Sequence, residues 1–154
     1  MSESPREQAF EAVAGLLETL TDTRHWGGQY VSRPKVIRHF TSMLQEAELP
    51  ILALDDGEGP VMTFGTTGGV GRYFDIYPIT IYGYIHGDDA VSPRTWAERL
   101  RYDVFLTLAR AVTPIGQLRG FDFSRPQLPV EHLDLVGMFA WPVVCIIDDE
   151  VEVG

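Results

Sequence analysis

The strongest constraint on this chain is a pair of segments that are apolar on both faces of any strand they form. From Tyr77 to Ile85, alternate positions place Tyr77, Ile79, Ile81 and Ile85 on one side and Tyr82 and Tyr84 on the other. Further on, Phe139, Trp141, Val143 and Ile147 oppose Met138, Val144 and Ile146. An antiparallel sheet with one solvated face alternates apolar with polar residues. These segments do not, so something must cover the second face, either loops of the chain itself or a neighbouring subunit. Oligomerisation is the reading adopted here. Pro78 and Pro142 lack the N–H that a ladder uses, which predicts edge positions or bulges.

Two helices are signalled by the same device. Ser4-Pro5-Arg6-Glu7 supplies a capping serine, a proline in the first turn and a glutamate three residues after the cap. Phe10, Val13, Leu17 and Leu20 then recur at helical spacing, and the helix is expected to stop near Thr21 to Arg24. Ser92-Pro93-Arg94 repeats the opening, with Trp96, Leu100, Val104 and Leu108 on one face and Pro114 and Gly116 ending the run. The pairs Arg94/Glu98 and Arg99/Asp103 are expected on its solvated face.

Strands are expected at Val36–Phe40, Leu49–Leu54, Val61–Phe64, Arg72–His86, Leu118–Phe123 and Leu133–Ile147. Asp55 to Pro60 reads as a turn, the glycine-rich Gly65–Gly71 as a mobile loop, and Asp148–Gly154 as an acidic tail. Helices do not alternate regularly with strands. The expected fold class is therefore α+β: a mainly antiparallel β-sheet with two α-helices packed on one face, in a single domain spanning residues 1–154.

Composition narrows the function classes. The 154 residues include 22 acids and 12 bases, for a net charge of −10. That balance argues against gripping nucleic acid through its phosphates, although an acidic surface could let DNA pass without sticking. The longest apolar stretch, Phe139–Ile147, is nine residues and holds a proline, whereas a spanning helix needs about twenty residues. No membrane role and no secretory signal are expected. Cys145 is the only cysteine, set among apolar neighbours, and reads as a small buried hydrophobe rather than a nucleophile.

Motifs for chemistry are not assembled. The four histidines, His25, His39, His86 and His132, lack the close spacing of a helical zinc site. The glycine run has no Gly-Lys-[Ser/Thr] ending and leads into a strand. Asp55 and Asp56, and Asp88 and Asp89, could form a metal-dependent hydrolase with a histidine only if they converged in one pocket. No serine sits in a nucleophile elbow. The reading is of a non-enzyme without metal or cofactor.

Several stretches resemble the tail terminator (tail completion, or minor tail) proteins of long-tailed bacteriophages. They are the opening helix leading to Val36-Ile37-Arg38, the segment Glu48–Leu54 with its acidic glycine turn, and the strand Ile79–Ile85. The helix containing Ala97–Val104 and the closing Trp141–Ile147 complete the pattern over residues 4–148. The glycine run and the proline-rich stretch before Glu131 depart from it. The resemblance implies a homohexameric ring on the head-proximal end of the tail tube. Such a ring would end tube polymerisation and join the tail to the head–tail connector protein. Its implied partners are the tail tube protein and that connector. It implies a place in the virion, after assembly in the host cytoplasm, and an acidic channel through which DNA passes. The expected interface residues are Gly65, Thr66, Thr67, Gly68, Gly69, Val70, Gly71 and Arg72, together with Tyr82, Tyr84 and Trp141. A head-side neck or connector subunit is the nearest alternative, followed by the hydrolase and by a monomeric binding module.

Overall fold

A computed structural model describes residues 4–20, 34–38, 49–56, 61–67, 70–125, 131–133 and 135–152. Its spine is two 17-residue strands, β4 (Val70–His86) and β7 (Val136–Glu152), antiparallel and paired from Val70↔Glu152 to His86↔Val136. Flanking β4 on one side are β2 (Ile51–Asp56) and β3 (Val61–Thr67), both antiparallel to it. On the far side of β7 lie β5 (Leu118–Asp122) and β6 (Glu131–Leu133), while β1 (Lys35–Ile37) adds to β2 in parallel. The path is β1-β2-β4-β7-β5. The described residues thus form an α+β fold, as the sequence predicts.

The central prolines are a correction. Pro78 and Pro142 lie in the two innermost strands rather than at the outer edges. Each nevertheless sits where its flanking partner is missing. On the β2/β3 side of β4, pairing covers 79–84 and 70–75 and skips Pro78. On the β5/β6 side of β7 it covers 144–147 and 136–138 and skips Pro142. Pairs Pro78↔Val144 and Thr80↔Pro142 are two positions apart and so share one alternating class. A proline suits the class whose nitrogens point away from the partner strand. The two residues occupy local edges inside a sheet.

Both helices pack on one face. Helix α1 (Pro5–Leu17) is capped by Ser4 Oγ, which accepts from Glu7 N at 3.2 Å, and buries Phe10, Val13 and Leu17. It ends earlier than Thr21. Thr19 Oγ1 donates to Leu16 O at 2.5 Å, and Thr19 N and Leu20 N reach back only three residues, tightening the last turn. Helix α2 (Pro93–Ala109), capped by Ser92, also stops five residues before Pro114. Its N-terminus lies hard against β7: a Cβ on Gly137 would sit 2.0 Å from Pro93 O. Asp103 is fully buried, contrary to the solvated face expected of it.

The core between helices and sheet contains Tyr77, Ile79, Ile81, Phe139, Trp141, Val143 and Ile147. Gly83 faces Phe139, whose ring fills the space a Cβ would need. On the opposite face Leu49, Ile51 and Ala53 form a second cluster, against which Ile37, Tyr82, Tyr84 and Val136 pack. Pro78 and Val144 are buried there too, whereas Ile76, Met138, Ala140, Pro142 and Ile146 are half-buried. Among the described residues, neither helix packs on this second face.

Candidate functional site

The structure divides the expected interface residues into three groups. Gly65, Thr66 and Thr67 belong to β3, and Val70, Gly71 and Arg72 to β4, in the pairs Gly65↔Arg72, Thr66↔Gly71 and Thr67↔Val70. They form the arms of a hairpin rather than a mobile loop, a correction to the sequence reading. Gly71 also pairs with Val151 of β7, so both sides of the strand are engaged. Gly68 and Gly69 lie outside the described residues. Tyr82 and Tyr84 do lie on the second sheet face, half-buried, and burial raises the Tyr84 phenol above its ordinary pKa.

Trp141 is the second correction. It lies on the helix-covered face at 1% exposure and is a core residue. Its ring packs 6.0 Å from Phe105 and 5.4 Å from Phe123. From there aromatic contacts step outward, with Phe105 5.2 Å from Phe123 and 6.4 Å from Tyr102. Tyr102 is 52% exposed. The ladder thus runs from the core to a surface made by α2 and β5.

The third correction concerns the acidic tail, which is strand as far as Glu152 and pairs with the start of β4. Asp55 and Asp56 likewise belong to β2 rather than to a turn. Because β2 and β3 run the same way along β4, the segment joining them (57–60, outside the described residues) connects strands that keep one direction.

A cleft of about 430 Å³ opens where β2 ends beside α1, lined by Ser4, Arg6, Glu7, Phe10, Glu11, Asp56 and Tyr77. Behind it, Asp75 of β4 is wholly buried and Arg6 grips it with two bonds: Nε to Oδ2, and Nη2 to Oδ1 at 2.8 Å. Tyr73 donates its hydroxyl to Oδ2 at 3.2 Å, and the guanidinium lies 4.8 Å over the Tyr77 ring. The hydrogen bond to Asp75 raises the Arg6 pKa, while desolvation raises those of Tyr73 and Tyr77. Sequence reasoning missed this pair because 69 residues separate its members and neither sits in a local motif.

The two aspartate clusters do not meet. Asp56 pairs with Ile79, and seven further residues of extended β4 lead to His86 before Asp88 begins. At about 3.3 Å per residue that is on the order of 23 Å. Asp88 is committed to the turn before α2. It accepts from Val91 N at 2.7 Å, Ala90 N at 2.9 Å and Trp96 Nε1 at 3.2 Å, and the Val91 bond leads in lowering its pKa. Cys145 is buried on the helix-facing side, and burial pushes its thiol up to about 12. Among the described residues no group of histidine, cysteine and carboxylate side chains is placed to hold a metal ion. No helix among them is long and apolar enough to cross a membrane.

Comparison with known proteins returns no family model that matches the chain, and no curated protein matches it.

Proposed function

We propose that this chain is a structural assembly subunit that forms a ring capping the head-proximal end of a phage tail tube. In that role it ends tube polymerisation and joins the tail to the head connector. The observation that carries the reading is the second face of the sheet. Ile76, Met138, Ala140, Pro142 and Ile146 are only half-buried there, like Tyr82 and Tyr84, while both helices occupy the other face. A mainly apolar face of this kind, interrupted by Thr80, is what a neighbouring subunit buries. A ring offers every subunit the same contact. The phage assignment rests on the sequence resemblance alone.

Light scattering after size exclusion tests the self-assembly, and tail length in particles lacking the protein tests the role. Overlong tails are the expected result. Normal-length tails detached from heads would move the protein to the connector, and enzymatic turnover without any effect on tails would refute the structural role.

A further inference from the structure

The charge of this chain is unevenly distributed. Residues 93–125, which comprise α2, β5 and the turn between them, hold six of the twelve basic residues but three of the 22 acids. This part of the fold carries +3 and leaves −13 on the remainder. One of the three acids, Asp103, is fully buried, so it contributes little to the surface.

Two of these basic residues flank the outer end of the aromatic ladder. Arg101 is one residue before the exposed Tyr102 and four before Phe105, so all three share the outward arc of α2. Across the contact between Phe105 and Phe123, the continuation of β5 presents the exposed Arg125, two residues beyond Phe123. Aromatic rings with arginine at their rim are the composition that dominates binding at protein interfaces. The partner such a surface fits is acidic.

An acidic counterpart lies at the other edge of the same helix-bearing layer. The cleft beside α1 exposes Glu7 and Asp56, with Phe10 and Tyr77 as its apolar walls. Asp56 ends β2, on the far side of β4 from β7, whereas β5 lies beyond β7. Two different, complementary patches at opposite edges define a heterologous contact, the kind that closes into rings.

We propose that the α2–β5 surface of one copy docks into the acidic cleft of the next, making the head-to-tail contact of the assembly. This inference rests on the self-assembly reading above and adds, beside the burial of the second sheet face, a further pair of surfaces by which neighbours meet. A second copy is favoured over a nucleic acid because the remaining −13 repels a long polyanion, while a copy presents discrete carboxylates.

The test is a charge swap read by size exclusion with light scattering, with circular dichroism to establish that each variant folds. One variant is Arg101→Glu/Arg125→Glu and the other is Glu7→Arg/Asp56→Arg. Each alone is expected to weaken self-association at least about tenfold, because like charges then face each other. Mixed in equal amounts they restore it, since each reversed face meets the other variant's reversed face. Raising salt from 0.05 to 0.5 M weakens the wild-type assembly in the same direction. Wild-type assembly that neither variant disturbs overturns this contact but leaves the self-assembly reading standing. A wild type that stays monomeric at every concentration overturns both. A monomer that binds a labelled single-stranded oligonucleotide, and loses it on Arg101→Glu/Arg125→Glu, reassigns the surface to nucleic acid and overturns the second copy.

Discussion

Replacing Arg6 by methionine isolates the energetics of the buried carboxylate behind the cleft. Asp75 has no solvent exposure, and the Arg6 side chain retains 24%. Removing one member of a buried ion pair costs about 3–5 kcal/mol, chiefly by stranding the other charge. Tyr73 still donates to Asp75 at 3.2 Å, so the lower end applies, about 3 kcal/mol. At about 2–4 °C per kcal/mol for a chain of this size, Tm should fall by about 6–12 °C. Thermal melts of both proteins at pH 7.5 measure it. Arg6→Met/Asp75→Leu should recover much of the loss, because the stranded charge is gone. A deficit under about 1 kcal/mol would show the pair to be no more than a surface bridge and refute the reasoning.

Two further outcomes follow from the core. Gly83→Ala places a methyl group 2.0 Å from Cε1 of Phe139; it should destabilise by about 1–3 kcal/mol through overpacking, read as a lower urea midpoint. Cys145, with its thiol pushed up to about 12 by burial, should resist a thiol reagent at pH 8 when folded and react fully in urea. Because its folded pKa is the higher one, its contribution to stability is intact below the ordinary thiol range and declines as pH rises towards 12.

Much of the architecture was legible because its signals are local. Ser4-Pro5 and Ser92-Pro93 begin helices where their caps place them, and the alternation in Tyr77–Ile85 sorts residues correctly between the two faces. What escaped was set by distant partners. Gly65–Arg72 looks like a loop because glycine has low strand propensity. Pairing of Gly71 with Thr66 on one side and Val151 on the other overrides that preference. The acidic residues after Ile147 resemble a tail for the same reason, until β4 supplies a ladder for them. Trp141 was assigned the right alternation and the wrong exposure, because an aromatic residue suits an interface and a core equally. The cleft and the aromatic ladder needed the fold itself, since each joins helix residues to strand residues far along the chain.

The pairing of β4 with β7 also sets an order of events in time. The nearest contact of that ladder, His86↔Val136, spans fifty positions, and the farthest, Val70↔Glu152, spans 82. By contrast β3 meets β4 through a tight hairpin, so this unit can close early. During synthesis the other side of β4 must therefore wait until β7 has been made. The vulnerable interval is the chain's youth rather than its maturity, and a nascent chain lacking β7 is the species most exposed to aggregation.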